Sequence, residues 1–281
     1  MSAALDAYCV MGDPIAHSRS PWIHARFAEL TGERLSYEAR RVPLADFADA
    51  LRRFALEGGR GCNITVPLKH EAARLSNTRS ERVVQAGAAN TLVLQDGRIH
   101  ADNTDGLGLV ADIEQGAGML LAGCDVLLIG AGGAAAGVLG PLLARAPRRI
   151  AVCNRTAARA EELVARHLEI AELSKTELLA LDQQALETDF DLIINATSSS
   201  LSGGPVPVPA SVLRPGALAY DMMYGPPAQG FLDWATRHGA VARDGLGMLV
   251  EQAAQSFLLW RGVRPPSGQV LAELRALLAS T

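Results

Sequence analysis

The residues best suited to chemistry follow a short apolar run in the middle of the chain. Directly after Val126–Ile129 come Gly130, Gly132 and Gly133, and small residues then lead into leucines at helical spacing. Glycines at this spacing, with Ala135 at the third small position, allow a tight turn, close approach to a pyrophosphate and close helix packing. The N-terminus of the helix would offer N–H groups to phosphates. The pattern predicts the start of a dinucleotide-binding βαβ unit.

Two other interpretations of this stretch are a membrane span and a simple glycine-rich turn. No charged residue lies between Val126 and Ala144, as in a membrane helix. However, five glycines and Pro141 interrupt the run, and arginines follow it, so a span is disfavoured. The simple turn is disfavoured by the residues that come next.

Those residues bear on the choice of cofactor. Asn154, Arg155 and Thr156 follow the next strand-like run, Arg149–Cys153, where a unit that prefers NAD carries an acidic residue for the ribose hydroxyl. Arg155 is placed instead to meet a 2′-phosphate, and Arg159 lies one helical turn further on. Thr156 also fits a helix cap. The arginine pair predicts NADP.

A lysine follows another predicted strand, Cys62–Val66, which Pro67 ends. The carboxyl end of a parallel strand presents side chains to ligands, so Asn63, Thr65 and Lys69 would lie at such a site. A solvated lysine at a helix start explains Lys69 equally well on local evidence.

Asp105 is a candidate partner for this lysine. It lies in Asn103–Gly106, ahead of a predicted helix over Leu107–Ile113 that crosses to the glycine-rich domain. Thr104 or Asp105 can also cap that helix. The domain boundary is predicted between residues 104 and 105.

Two serines near the N-terminus could bind an anionic group. Ser18 and Ser20 flank Arg19 and could point two hydroxyls at one carboxylate. Ser20, followed by Pro21, is explained equally well as a helix cap.

Composition restricts the class of protein. The 281 residues are enough for two domains, and 49% of them are hydrophobic. The net charge of −4 argues against a nucleic-acid binder. The four cysteines, Cys9, Cys62, Cys124 and Cys153, form no C-x-x-C pair and are predicted to be buried, reduced thiols of a cytoplasmic protein. No secretory signal is predicted. His17 and His24 lack metal-ligand spacing, so no metal is predicted.

The remaining patterns predict an α/β fold whose middle section is doubly wound. Further strands are predicted at Tyr8–Met11, Leu35–Val42, Ala89–Leu94, Arg98–Ala101, Asp189–Asn195, Ala217–Tyr220 and Ala240–Ala242. Helices are predicted at Leu44–Leu56, Phe231–His238, from Gly245 to Trp260 and from Ser267 to Leu278. Ser198–Pro209 is predicted to be a loop.

In combination, the motifs resemble those of shikimate dehydrogenases over nearly the whole chain. Eight pieces match in order: Ser18–Pro21, Asn63–Lys69, Gly87–Thr91, Asn103–Gly106, Gly130–Ala134, Asn154–Thr156, Asp221–Tyr224, and Gly245–Leu249 with Gln252. Each piece alone is weak evidence, but all eight in order are specific.

The resemblance implies a fold, a reaction and a domain arrangement. The reaction is the reversible NADPH-dependent reduction of 3-dehydroshikimate to shikimate in aromatic amino-acid biosynthesis. Residues 1–104 with 246–281 would form the substrate domain, and residues 105–245 a Rossmann-type NADP domain. No nucleic acid or membrane is implied, and a homodimer is a possibility.

The resemblance also assigns roles to residues. Lys69 would be the acid/base and Asp105 its partner. The substrate carboxylate would be held by Ser18, Ser20 and Tyr224, and the ring hydroxyls by Thr65, Asn90, Asp105 and Gln252. The cofactor would be lined by Glu81, Gly130, Ala131, Gly132, Gly133, Ala134, Asn154, Arg155, Thr156, Arg159, Met222 and Gly245.

Two alternatives stay open. The first is a quinate/shikimate dehydrogenase of broader substrate or cofactor range. The second is a non-catalytic NADP and metabolite sensor, against which the presence of both Lys69 and Asp105 argues.

Overall fold

Two helices carry the chain between two compact units. The computed structural model describes residues 5–183, 186, 189–197, 204 and 206–280. The first unit consists of the described residues up to Gly108 and from Val250 onward. The second unit is Leu109–Leu249. Each boundary lies four residues beyond the predicted one (104 to 108, and 245 to 249), because it falls inside a helix rather than at its start.

The first unit is a mixed sheet of short strands covered by helices. Its strands are Asp6–Gly12 (β1), Leu35–Arg41 (β2), Gly59–Ile64 (β3), Thr78–Arg79 (β4), Thr91–Gln95 (β5) and Arg98–Asp102 (β6). Its helices up to the crossing are Ser20–Thr31 (α1), Phe47–Leu56 (α2), Lys69–Leu75 (α3), Glu81–Ala86 (α4) and Asp105–Ala111 (α5).

The strand order in this sheet is β2-β1-β3-β5-β6-β4. β1 pairs in parallel with β2 and β3, whereas β5 pairs antiparallel with β3 and β6. Asp96 and Gly97, both with positive φ, form the hairpin turn between β5 and β6. The pairing brings the end of β3 beside the start of β5 and the end of β6, so residues after these strands come together.

The second unit has the strand order expected of a dinucleotide-binding domain. Its strands are Asp125–Ile129 (β7), Arg149–Cys153 (β8), Glu177–Leu181 (β9), Phe190–Asn195 (β10), Leu213–Asp221 (β11) and Val241–Arg243 (β12). All are parallel, in the order β12-β11-β10-β7-β8-β9. The order reverses between β7 and β10, the switch point at which such sheets bind ligands.

Apolar clusters cover both faces of this parallel sheet. Val126 and Leu128 of β7 pack in one buried cluster, and Leu127 and Ile129 pack in another on the opposite face. The helices here are Gly133–Leu143 (α6), Ala157–Ala165 (α7), Leu168–Ser174 (α8) and Gln229–Arg237 (α9). This two-sided burial explains why the central strands are continuous apolar runs.

Two helices complete the chain: Leu246–Arg261 (α10), which runs back into the first unit, and Ser267–Ala279 (α11). Among the described residues, no helix is long and apolar enough to cross a membrane. Most of the predicted loop Ser198–Pro209, namely residues 198–203 and 205, lies outside the described residues.

Three local predictions were wrong. Ser20 is not the cap of α1: Arg19 holds that position, and the backbone N–H of Ser20 donates to the Ser18 hydroxyl at 3.3 Å. The helix predicted from Leu107 begins at Asp105, whose N–H donates to Asn103 Oδ1 at 3.1 Å.

Thr156 lies at the N-cap position of α7, as the sequence allowed, but its side chain makes no capping hydrogen bond. Cys9, Cys62 and Cys153 are buried free thiols, but Cys124 is only partly buried, because it precedes β7 instead of lying within the sheet.

Candidate active site

A lysine and a carboxylate form an ion pair in the first unit. Lys69 is the first residue of α3, which follows the end of β3 after a turn closed by the Leu68 N–H and the Thr65 carbonyl oxygen, 2.9 Å apart. Lys69 Nζ lies 2.5 Å from Asp105 Oδ2, and the two side chains are 26% and 13% exposed. An ammonium group that a carboxylate orients and that solvent still reaches can give and take a proton.

The second oxygen of Asp105 is held by an amide. Asn90 Nδ2 donates to Asp105 Oδ1 at 2.8 Å. The carbonyl oxygen of the same amide accepts from the Thr104 N–H at 2.8 Å, so the orientation of the Asn90 amide is determined by its partners. Both carboxylate oxygens of Asp105 are therefore fixed by hydrogen bonds.

Gln252 joins this group from α10. Its Oε1 lies 3.3 Å from Asn90 Nδ2 and 3.5 Å from Thr104 Oγ1. The structure thus brings together Lys69, Asp105, Asn90 and Gln252, four residues that the resemblance had placed at the substrate.

Sequence reasoning named Asn63 as a site residue but missed the buried hydrogen-bond network that it joins. The Tyr37 hydroxyl donates to Asn63 Oδ1 at 2.8 Å, and Asn63 Nδ2 donates to Ser256 Oγ at 2.9 Å and to Thr91 Oγ1 at 3.1 Å. Burial raises the pKa of Tyr37, which keeps its hydroxyl protonated as a donor. The signal in the sequence was the spacing of Gln252 and Ser256, which are four residues apart and therefore lie on one face of α10.

The remaining substrate candidates are divided between the units. Ser20 is 7% exposed at the start of α1, Ser18 is partly buried, and Thr65 is partly buried just after β3. Tyr224 is partly buried in the second unit, three residues after β11. Ser18 and Ser20 are neighbours, but nothing within their own unit brings them into hydrogen-bond contact with Lys69 among the described residues.

Glu81 is the exposed first residue of α4 in the first unit, and Ser80 caps that helix by accepting from the Val83 N–H. Arg82, the residue after Glu81, forms an ion pair with the buried Asp102, with 2.7 Å between Nη2 and Oδ2. The position of Glu81 relative to a cofactor stays a prediction.

The glycine-rich turn of the second unit fits a dinucleotide. Gly130 has a φ of 109°, and a Cβ there would lie 3.1 Å from the Ala196 carbonyl oxygen, so neither the conformation nor the space suits another residue. Gly132 caps α6, and Gly132, Gly133 and Ala134 are exposed at its start. The first turn of α6 therefore leaves N–H groups accessible to phosphates.

Two exposed arginines follow β8. Arg155 and Arg159 are exposed, and neither pairs with a carboxylate among the described residues. Asn154 is occupied locally, because its Nδ2 donates to the Thr156 carbonyl oxygen at 2.9 Å. Two such guanidinium groups at this strand end suit a 2′-phosphate.

The segments that follow β11 and β12 are in close backbone contact. A Cβ on Gly245 would lie 2.3 Å from the Met222 carbonyl oxygen, and the Gly245 N–H donates to the Met223 carbonyl oxygen at 2.8 Å. Met222 and Gly245 are therefore held against each other, as two residues that line one site would be. Among the described residues, no cluster of three or more His, Cys, Asp or Glu side chains could hold a metal ion.

Together, a parallel sheet with a phosphate-binding turn in the second unit and a lysine–carboxylate pair in the first unit define the class: a two-domain, dinucleotide-dependent oxidoreductase. Family models narrow this class. Residues 10–92 match the shikimate dehydrogenase substrate binding domain, 112–202 match shikimate / quinate 5-dehydrogenase, and 245–275 match the shikimate 5′-dehydrogenase C-terminal domain.

Individual relatives agree. The chain is 76% identical over 280 residues to a shikimate dehydrogenase (NADP(+)) of Acidovorax sp. (strain JS42), covering 100% of this chain and 99% of that one. An Ael1 enzyme from Pseudomonas putida superposes with a TM-score of 0.88 at 44% identity, covering 96% of this chain and 98% of that one. The chain belongs to the shikimate dehydrogenase family.

A further solved relative carries ligands. Shikimate 5-dehydrogenase from Thermus thermophilus, in complex with NADP(H) and shikimate, has a TM-score of 0.82 and 31% identity. The match covers 97% of this chain and 99% of that one.

Proposed function

We propose that the chain catalyses the reversible, NADPH-dependent reduction of 3-dehydroshikimate to shikimate, in aromatic amino-acid biosynthesis. The observation that carries the proposal is the Lys69–Asp105 pair, 2.5 Å between Nζ and Oδ2, within a group that includes Asn90 and Gln252. The names of the chain's relatives and the family to which it belongs support the same activity.

The protein's own residues supply the proton chemistry. Reduction of a ketone leaves an alkoxide that must be protonated, and the Lys69 ammonium donates that proton. Asp105 orients Nζ and balances its charge. In the reverse direction the neutral amine accepts the proton. General acid/base catalysis of this kind contributes about 10²–10⁴-fold.

The substrate would be oriented by the polar groups around this pair. Thr65, Asn90, Asp105 and Gln252 would bind ring hydroxyls, because they offer both donors and acceptors beside Lys69. Ser18, Ser20 and Tyr224 would bind the carboxylate. Holding the reacting carbon in place converts a bimolecular step into a unimolecular one.

The residues of the second unit fit NADP. When bound, NADPH supplies the hydride. Gly130, Ala131, Gly132, Gly133 and Ala134 would hold the pyrophosphate at the start of α6. The 2′-phosphate and its surroundings would be held by Arg155, Arg159, Asn154 and Thr156, and the nicotinamide side by Met222, Gly245 and Glu81.

Quinate is a second candidate substrate, because the family model for residues 112–202 names both compounds. A homodimer and a cytoplasmic location also stay proposals. The three buried free cysteines, which suit a reducing compartment, support the location.

The chain contains only two lysines, which gives a matched test. Lys69→Met should lower kcat for shikimate oxidation with NADP⁺ by about 10²-fold or more, because the acid/base group is lost. Lys175→Met removes the other lysine, an exposed residue after α8, and should leave kcat unchanged. Lys69→Arg should also lose kcat, because a guanidinium keeps the charge but holds its proton too tightly.

The substrates are compared in the same assay, with shikimate and quinate each paired with NADP⁺ and NAD⁺. A wild-type protein that binds NADP⁺ but oxidises neither acid would favour the sensor. Full turnover in a folded Lys69→Met variant would exclude Lys69 as the proton donor.

A further inference from the structure

A buried ion pair lies in the second unit, where the chain enters and leaves it. Asp112 follows α5 at the start of a π-helical turn, Asp112–Gly116, and is 1% exposed. Arg243, at the end of β12, donates to both of its oxygens, at 2.8 and 2.5 Å. The Tyr220 hydroxyl donates to the same carboxylate at 2.7 Å. Both oxygens of Asp112 are therefore engaged.

Two glycines leave room for this carboxylate. A Cβ on Gly247, in the first turn of α10, would lie 2.0 Å from Asp112 Oδ1. A Cβ on Gly116, in the π-helical turn, would lie 2.4 Å from the same atom. The carboxylate thus packs directly against the backbone of α10, and π-helical turns of this kind are often found at functional sites.

This cluster lies close along the chain to two residues of the proposed site, Asp105 and Gln252. α5 and α10 are the two helices that connect the units. Asp112 lies seven residues after Asp105, and Gly247 lies five residues before Gln252. In the first unit, Gln252 contacts Thr104, the residue before α5, with 3.5 Å between Oε1 and Oγ1. The two connections are therefore joined to each other at both ends.

We propose that Asp112 and Arg243 are positioning residues for the reaction, which fix the end of α5 against the start of α10 and so hold Asp105 and Gln252 in place relative to each other. This inference rests on the proposed function. The substrate residues at one end of each helix and the ion pair at the other end are separated by only one to two helical turns.

The expected effect is on the chemical step. Hydride transfer needs the reacting atoms within about 3–3.5 Å, and a misplacement of 1 Å costs about 10²-fold. Loss of the Asp112 charge should therefore lower kcat by about 10–100-fold. The separate affinities for NADP⁺ and shikimate should change little, because no ligand-contacting side chain is altered.

The test compares two buried carboxylates of the same unit. Asp112→Asn removes the charge at the connections. Asp125→Asn is the matched control: Asp125 is fully buried at the start of β7 and pairs with Arg148, Arg149 and Arg214, none of which lies on α5 or α10. For each folded variant, kcat, the deuterium isotope effect with NADPD, and the Kd of each ligand by fluorescence are measured.

Amide hydrogen exchange gives a readout without turnover. Asp112→Asn should speed exchange in peptides covering both 105–116 and 245–252, and raise the isotope effect as hydride transfer becomes limiting. Asp125→Asn should do neither. Equal losses of kcat in the two variants, or unchanged exchange in 245–252, would overturn the proposal.

If Asp112→Asn does not fold, the proposal is tested with Tyr220→Phe, which keeps the Asp112–Arg243 ion pair and removes one hydrogen bond to Asp112. It should lower kcat about threefold or more and speed exchange in the same peptides, and no change in either would overturn the proposal. A wild-type protein without shikimate turnover would contradict the proposed function, whereas the exchange measurement would still test the link between α5 and α10.

Discussion

Lowering the pH should destabilise the first unit through one histidine. His24 of α1 is fully buried, and neither ring nitrogen has a hydrogen-bond partner among the described residues. Its ring stacks on that of Tyr37, with 4.2 Å between centroids. Burial lowers the pKa of His24 from 6.5 to about 3. The folded protein therefore keeps this ring neutral at pH 5 and above.

The size of the effect follows from the two pKa values. Below about pH 6.5 the unfolded chain binds a proton at His24, whereas the folded protein does not until about pH 3. Stability is thus fully present above pH 6.5 and falls as the pH drops toward 3. Each pH unit in that range costs about 1.4 kcal/mol, so going from pH 7 to pH 5 costs about 2 kcal/mol. The same result holds for any folded pKa well below 5.

The measurement is urea unfolding at pH 7 and pH 5. A two-unit protein need not unfold in one step, so the first unit must be followed alone. In a Trp234→Phe background, the remaining tryptophans, Trp22 and Trp260, both lie in the first unit and report its unfolding. The wild-type free energy of unfolding should fall by about 2 kcal/mol more than that of His24→Leu, which cannot titrate. An equal pH dependence in the two proteins would refute the role of His24.

Two further predictions concern ligands. Arg155→Ala should raise KM for NADP⁺ about tenfold or more and change that for NAD⁺ little, because a charge-assisted contact to the 2′-phosphate is lost. Arg166→Ala, which removes an exposed arginine after α7, controls for net charge at the same ionic strength, and an equal loss with both cofactors would contradict the role of Arg155. Ser18→Ala combined with Ser20→Ala should raise KM for shikimate with little effect on kcat, since these hydroxyls would contact the carboxylate in ground and transition states alike. If steady-state kinetics are unchanged and only the melting temperature falls, the two serines are structural.

The dinucleotide-binding unit was predictable because its signals are local. After Asp125, β7 is a continuous apolar run, Gly130 lies where φ is positive, and Gly132 follows two residues later. The short elements β4 and α4 were not predicted. β4 consists of two exposed residues and α4 of six residues. Both are too short to show the two-residue period of a strand or the 3.6-residue period of a helix.

The arrangement of the polar residues was not predictable from local patterns. Lys69 and Asp105 are 36 residues apart and meet only because β3, β5 and β6 are neighbours in the sheet. From residues alone, Lys69 could equally have been a solvated lysine, and the resemblance was needed to choose. For Ser20 the local signal was misleading. It is a good capping residue ahead of Pro21, but it is the first residue inside α1, and its own N–H donates to the Ser18 hydroxyl.

The hydrogen-bond network around Asn90 and Thr91 includes side chains of α10, which lies near the end of the chain. The first unit is interrupted after Gly108 and resumes at Val250, so Gln252 and Ser256 reach Asn90 and Thr91 only across more than 160 residues. α10 is secured there beyond the polar group: Trp260 Nε1 donates to the Leu92 carbonyl oxygen at 3.0 Å, and Arg261 pairs with Glu33 at 2.6 Å. Since closing so long a loop has an entropic cost that local contacts do not offset, Asn90 acquires its Gln252 partner only when α10 docks. The proposed substrate-binding group is therefore completed by docking of the C-terminal segment, even though most of its residues come from the first hundred or so residues of the chain.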